Sequence, residues 1–325
     1  MPRFLLVGAA TLLRECHLRE SSARASSQSF CDEFQNRIMH MNTPQPYWQT
    51  SRFDLSLQRP LVMGIVNLTP DSFSDGGRYN EVRAAVLHAE SLLAQGADIL
   101  DLGAESTRPG SPAVSLEDEL ARLIPVLKEL VCLGKPISID TYKPEVMRAC
   151  LDLGADIIND IWALRQNGAL EAVSQHPRCG VCLMHMHRTP QDMQVQPMAG
   201  PVVQDVRLFL QQHAQKVMDA GVAAERITLD PGIGFGKTVE QNFSLIDGQA
   251  ELLSLGFPVL AGWSRKSALG AVTGLDVGQR LVASVTAAML AVDRGARIVR
   301  VHDVAKTVEA LQVWQAMHDA GLSLR

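Results

Sequence analysis

What most narrows the folds open to this chain is a unit that keeps returning. From Leu61 onward, short aliphatic and β-branched runs alternate with longer amphipathic stretches. Eight runs read as strands: 61–68, 98–104, 136–140, 156–161, 180–186, 227–230, 258–262 and 297–302. Between the second and third, Leu116, Leu120, Leu123, Ile124, Leu127 and Leu130 fall on one helical face, and Ser115-Leu-Glu-Asp118 reads as a capping box at its start. Pro144 stands where a first-turn proline belongs. Gly96, Gly154, Gly221, Gly256 and Gly295 each close a helical pattern just before a strand. Three of them open an internal echo, Gly-Ala-polar-Ile, at 96–99, 154–157 and 295–298. These spacings amount to two and then four units of roughly 30–35 residues, the size of one strand–helix unit. Eight such units predict an α/β fold, a closed (β/α)8 TIM barrel. The alternative, a doubly wound open sheet, would want a Gly-x-Gly-x-x-Gly turn after the first strand. Residues 68–77 read Leu-Thr-Pro-Asp-Ser-Phe-Ser-Asp-Gly-Gly instead.

The composition permits a large core. Of the 325 residues, 46% are hydrophobic and 20% charged, which excludes a disordered chain. Lysine and arginine number 30 against 35 acidic residues, a net charge of −5, so no broad nucleic-acid footprint is expected. No uncharged apolar run reaches the roughly 18 residues of a spanning helix. The nearest, 281–292, contains Ser and Thr, lies between Arg280 and Asp293, and reads as a buried helix face. The six cysteines are scattered through a long chain, unlike a secreted disulfide framework. Cys179 and Cys182 share the C-x-x-C spacing, but positions three apart in a strand face opposite sides, so reduced buried thiols are expected. These features suit a cytoplasmic protein with no membrane partner. Residues 1–50 stand apart: apolar 4–13 behind Met1-Pro2-Arg3, then a Ser- and Arg-rich stretch. The outline is that of a signal peptide, but Glu15, Glu20 and a weak boundary argue against export. The segment is expected to be a disordered extension or a mis-called start ahead of Met39 or Met41, with the barrel domain at 51–325.

Barrels carry their chemistry at the carboxyl ends of the strands. Here those ends hold Asn67, Asp101 with Glu105, Asp140, Asn159, His185 with His187, Asp230, Ser264-Arg265-Lys266, and Arg300 with His302. A strand-ending Asp or Asn often caps the next helix; what counts is that closure brings all of them to one mouth. Two themes emerge. Asp140, Asn159, Asp230 and Lys266 offer acceptors and a donor suited to a flat heterocycle with an amino-pyrimidinone edge. Arg300 and His302, two apart and so on one face, join the cationic loop Ser106-Thr107-Arg108 as an oxyanion site, with Asn67 as a hard oxygen for a cation such as Mg²⁺. Phosphate or pyrophosphate is the ligand this implies. Three other motifs fail. Gly232-Ile-Gly-Phe-Gly236-Lys237-Thr238 lacks the Walker A spacing. His185-Met-His187 lies away from the first strand, where a metal-binding His pair of the amidohydrolase kind belongs. Ser264 lacks the Gly-x-Ser-x-Gly elbow.

Seven motifs then appear in order: 67–77, 105–110, 138–144, 158–160, 230–237, 264–267 and 300–303, the last reading Arg-Val-His-Asp. Together they resemble the bacterial dihydropteroate synthase family of pterin-binding TIM barrels, over residues 61–317. The resemblance implies a transferase of folate biosynthesis. It would join p-aminobenzoate to 6-hydroxymethyl-7,8-dihydropterin pyrophosphate, giving 7,8-dihydropteroate and pyrophosphate. It assigns Asp140, Asn159, Asp230 and Lys266 to the pterin with Met184 near it, Thr107, Arg300 and His302 to the pyrophosphate, and Asn67 to Mg²⁺ and that pyrophosphate. It places Phe235, Ser264 and Arg265 around p-aminobenzoate, with loops 68–79 and 106–115 closing over the site. It also implies a homodimer through the late helices. Trp263 replaces a smaller apolar residue, which bears on sulfonamide-like ligands.

The expected chemistry, with Asn67, Lys266, Arg300 and His302 in the catalytic set, is an SN1-like departure of Mg-bound pyrophosphate. Preorganised cations and donors would meet the growing negative charge, while the electron-rich pterin stabilises a methylene cation that the weakly basic aryl amine attacks without a strong base. The competing readings are a pterin-binding methyltransferase barrel, a phosphate-site barrel of another pathway, and a catalytically dead pterin-binding paralogue.

Overall fold

A computed structural model of the chain describes residues 46–69, 77–106, 110–189, 192–193 and 195–320. The leader and start-site expectations for residues 1–45 lie outside the described residues. An antiparallel hairpin, β1 (Tyr47–Gln49) and β2 (Asp54–Ser56), comes first. Eight parallel strands follow: β3 (Leu61–Asn67), β4 (Ile99–Gly103), β5 (Ile137–Asp140), β6 (Ile157–Asp160), β7 (Gly180–Met184), β8 (Ile227–Asp230), β9 (Leu260–Ala261) and β10 (Ile298–Val301). They pair in the order β8-β7-β6-β5-β4-β3-β10-β9. A parallel bridge from Leu229 to Val259, just ahead of β9, joins the two ends. The doubly wound alternative is thereby excluded, and the eight-unit barrel is what forms.

Helices separate the strands: α1 (Gly77–Ala94), α2 (Leu116–Val131), α3 (Pro144–Asp152), α4 (Ala169–Ser174) and α5 (Val202–Asp219) follow β3 to β7 in turn. After β8 come α6 (Val239–Asp247) and α7 (Gln249–Leu253), after β9 α8 (Ser267–Thr273) and α9 (Leu281–Asp293), and after β10 α10 (Val304–Asp319). Local chemistry sets their ends. Ser115 Oγ accepts the Asp118 amide at 3.0 Å, but the reciprocal half of the expected box is missing, since the Asp118 carboxylate takes the Ser115 hydroxyl instead. The full reciprocal box opens α6, where Gln241, one methylene longer, reaches back to the Thr238 amide at 2.9 Å while Thr238 Oγ1 accepts the Gln241 amide. The glycine of the internal echo is a helix-to-strand turn: Gly96, Gly154 and Gly295 lie at φ 101°, 101° and 98°, a region that costs L-residues free energy.

Alternation along each strand sorts side chains between lumen and helix layer. A Cβ on Gly64 would press on Leu92, Val304 and Ala97, so Gly64 faces the helices and Met63, Ile65 and Asn67 face the lumen. The amino-terminal end of the lumen is closed by Trp48, Leu61, Met63, Ile99, Leu260 and Ile298. Trp48, in the stretch that sequence reasoning set aside, is fully buried and donates its indole N–H to the Arg226 carbonyl at 2.9 Å. Arg52 grips buried Asp156 through Nε at 3.0 Å and Nη2 at 2.6 Å, and Asp156 also accepts the Ile137 amide. The hairpin is thus the floor of the barrel, tied to strands on its far side. Cys150, Cys179 and Cys182 are free and buried; burial pushes the Cys150 thiol up to about 12 and raises the other two. No helix among the described residues is long and apolar enough to cross a membrane.

Candidate active site

At the carboxyl end of the barrel one guanidinium links three strands. Arg300 on β10 donates from Nε to Asp101 Oδ2 at 2.6 Å and from Nη2 to Asp140 Oδ2 at 2.7 Å. Asp101 is fully buried, and Asn159 Nδ2 stands 3.5 Å from both its carboxylate oxygens. Burial opposes the Arg300 charge, but Asp101 and then Asp140 outweigh it and hold the guanidinium above its ordinary pKa. Burial in turn lifts Asp140 to about 7 against the pull of Arg300. Sequence reasoning gave Asp101 no role. Its signal was present, a carboxylate enclosed by Leu100 and Leu102 within an apolar strand, where a buried charge needs a partner.

Across the mouth lie Asp230 and Lys266. Burial raises Asp230, opposed by its bond from the Gly232 amide at 2.7 Å and by the Lys266 charge. Burial lowers Lys266 to about 8, against the support of Asp230 and Asp140. Lys266 Nζ sits 4.2 Å from the centre of the Phe235 ring, a cation–π contact. The Asp230 carboxylate favours the charges of Lys266 and Arg300, and Arg300 disfavours that of Lys266. Two glycines flank these carboxylates: a Cβ on Gly103 would lie in ordinary contact with Asp140 Cβ at 3.5 Å, and one on Gly262 with Asp230 Oδ2 at 3.8 Å. Met184 closes one wall with Ile161, Met186, Met193 and Phe235, and Trp162 and Tyr142 pack against them.

Beside this pocket, Ser264 Oγ accepts the His302 amide at 3.1 Å and lies 3.0 Å from His302 Nδ1. A serine hydroxyl has one donor and two lone pairs, so it serves the amide and the ring together. Burial, then Arg265 and Arg300, push His302 down to about 3, so the ring is neutral. Ser264 is committed to His302. Arg265, at φ 60°, turns the chain between Ser264 and Lys266 and pairs with Asp303 at 2.7 Å. Trp263 faces the helix layer, its ring centre 5.3 Å from that of Phe243 on α6, away from the pocket. Thr107 lies outside the described residues, as do most of loop 68–79 and part of 106–115.

The rejected motifs have structural explanations. Lys237 is buried with its Nζ 2.9 Å from His185 Nδ1 and 2.8 Å from the Gly232 carbonyl, inside the protein and not toward a phosphate. Burial and then Lys237 push His185 down to about 2, and its ring packs edge-on against Phe209 at 4.8 Å. No group of three or more His, Cys, Asp or Glu among the described residues could hold a metal ion. Behind Asp140, Lys143 bridges Glu105 and Glu119, whose other oxygens take the Tyr142 and Thr141 hydroxyls. A groove of about 650 Å³ by Asp54, Arg59, Asp98 and Lys135 lies at the opposite, amino-terminal face, where Arg59 and Asp98 pair with each other.

A parallel barrel whose lumen mouth joins carboxylates, an amide and a half-buried lysine to an arginine and a neutral histidine is the setting of a pterin-binding enzyme, and the chain belongs to that family. The family model described as pterin binding enzyme matches residues 63–302. Within the family it groups with the dihydropteroate synthases. The dihydropteroate synthase of Neisseria meningitidis serogroup C is 50% identical over 274 residues, covering 83% of this chain and 97% of that one. The crystal structure of Burkholderia cenocepacia dihydropteroate synthase complexed with 7,8-dihydropteroate superposes with a TM-score of 0.78 at 52% identity, covering 86% of this chain and 98% of that one. That of Xanthomonas albilineans with 4-aminobenzoic acid gives a TM-score of 0.79 at 49% identity, covering 84% and 98%.

Proposed function

We propose that this chain condenses 6-hydroxymethyl-7,8-dihydropterin pyrophosphate with p-aminobenzoate, giving 7,8-dihydropteroate and pyrophosphate. The observation that carries the reading is the Asp101–Arg300–Asp140 bridge beside Asp230 and Lys266, one pocket with a carboxylate-rich half and a cationic half. Asp140, Asn159 and Asp230 accept from and donate to the amino-pyrimidinone edge, Lys266 donates to the ring, and Met184 covers a face. Arg300 and His302 bind the leaving pyrophosphate with Thr107, and His302 meets the developing charge through a ring hydrogen bond. The pterin methylene–oxygen bond breaks first, its electron pair leaving with pyrophosphate and its cation shared with the ring; the aryl amine attacks second and loses one proton to water or the departed pyrophosphate. Phe235 and Arg265 flank the amine, and Ser264 acts through His302.

Asn67 ends β3 at the lumen side, half-buried, and its side-chain oxygen is one hard donor. Mg²⁺ commonly keeps one or two protein ligands beside substrate phosphates and water, so the residues fit a site completed by the pyrophosphate. Bound there, the ion would offset phosphate charge as a Lewis acid. A homodimer accords with exposed Val272, Val277, Leu281, Val282 and Leu290 along α8, α9 and their connection. A cytoplasmic enzyme accords with its free thiols. The test is pyrophosphate release from purified protein. It should require pterin pyrophosphate and p-aminobenzoate together, match dihydropteroate one for one, and fall at least about a hundredfold in Arg300→Ala, a loss of roughly 2.7 kcal/mol at the transition state. Release independent of p-aminobenzoate would refute the reading.

A further inference from the structure

The glycine-rich loop after β8 contains a lysine that no step above uses. The loop winds around it: Lys237 Nζ is 2.8 Å from the Gly232 carbonyl, 3.1 Å from the Phe235 carbonyl and 2.9 Å from His185 Nδ1 on the β7–α5 connection. Burial lowers Lys237 to about 7, against the support of Asp230; as an ammonium its three N–H donors match three acceptors from two loops, with the His185 carbonyl a fourth neighbour at 3.4 Å. The loop has no slack on its outer side. A Cβ on Gly232 would fall 1.8 Å from the His185 carbonyl oxygen, and one on Gly236 2.7 Å from His187 Cβ. On its inner side Gly234 approaches the Lys266 stem, where a Cβ would come 3.1 Å from Cδ, and the Phe235 ring lies over Lys266 Nζ at 4.2 Å. The residue that fixes the Phe235 carbonyl from behind therefore fixes what the ring does in front.

We propose that Lys237 is a positioning residue that sets Phe235 against Lys266 and thereby shapes the p-aminobenzoate side of the pocket. The assignment rests on the reading that Phe235 flanks this substrate. It also explains why the segment imitates a phosphate-binding loop. Its glycines serve close approach to the 185–187 backbone, and its lysine binds carbonyls of its own loop.

Kinetics of wild type, Lys237→Met, Phe235→Ala and the double variant test it. Lys237→Met should raise KM for p-aminobenzoate about tenfold, with KM for pterin pyrophosphate within about twofold and kcat within about threefold. Added to Phe235→Ala it should change the p-aminobenzoate KM by less than about twofold, because both changes remove one interaction. His185→Leu, which takes away the ring acceptor, should move the same constant in the same direction and carries the test if Lys237→Met does not fold. A p-aminobenzoate constant unchanged in the single variants, or a full second increment in the double variant, would overturn the proposal. Calorimetric titration with p-aminobenzoate reports the same ratios without turnover. Wild type that binds p-aminobenzoate but makes no product would count against the proposed reaction, not against the role of Lys237.

Discussion

His302 shows how burial and neighbouring charges decide a side chain's chemistry. Its amide and Nδ1 both engage Ser264, and burial holds it down to about 3. A histidine depressed in the folded state contributes stability above its unfolded value, near 6.5, that is lost as pH falls toward the folded one. The unfolded chain takes up a proton in that window and the folded chain does not. His302→Gln should therefore flatten the loss of stability between pH 6 and 4 by up to about 1.4 kcal/mol per pH unit relative to wild type, read from urea midpoints at several pH values. Equal slopes would mean that His302 titrates normally. Asp140 and Asp160, both lifted to about 7 chiefly by burial, act in the opposite sense, stabilising the fold as pH falls from 7 toward 4. The difference between variants is thus the quantity to measure. At this scale the sequence showed which strand ends are polar but not how their side chains pair. Asp101 was counted among the polar strand-end groups but given no role, because its partner Arg300 lies 199 residues away in the chain. That Ser264 is bound to His302 depends on a contact 38 residues away in the chain.

The strands and helices were largely legible because each unit repeats one pattern, an aliphatic run, a polar end, an amphipathic helix and a closing glycine. Two things were not. The reciprocal capping box belongs to Thr238 and Gln241 and not to Ser115 and Asp118, since only the longer side chain spans back to the cap amide. The hairpin β1–β2 was hidden by length: three-residue strands carry almost no periodicity. Its importance comes from partners far along the chain, Trp48 with Arg226 and Arg52 with Asp156. Trp48→Ala should lower unfolding free energy by about 3–5 kcal/mol, with KM for both substrates within about twofold, because the floor and the mouth are opposite ends of the lumen. Normal stability by chemical denaturation would show that the hairpin is dispensable.

For the molecule as a whole, closure is what turns separated residues into a site. Arg300 on β10 reaches past β3 to Asp101 on β4 and Asp140 on β5 along the inner face of the curved sheet. The exposed apolar positions along α8 and α9 lie outside that lumen and are the face on which the proposed dimer would form. Val282→Glu, at a side chain 76% exposed, should convert a dimer to a monomer in sedimentation velocity and leave a folded protein. A wild type that sediments as a monomer would contradict the dimer. The division of the mouth into a heterocycle half and an anion half is tested most directly by calorimetric titration of pterin pyrophosphate into wild type and Asp230→Asn, with inorganic pyrophosphate as the companion ligand. The asparagine keeps an acceptor for the Gly232 amide but loses the carboxylate. Affinity for the pterin pyrophosphate should fall at least about a hundredfold while that for pyrophosphate stays within about threefold. Equal affinity of both proteins for the pterin pyrophosphate would contradict the assignment of the barrel mouth on which the account stands.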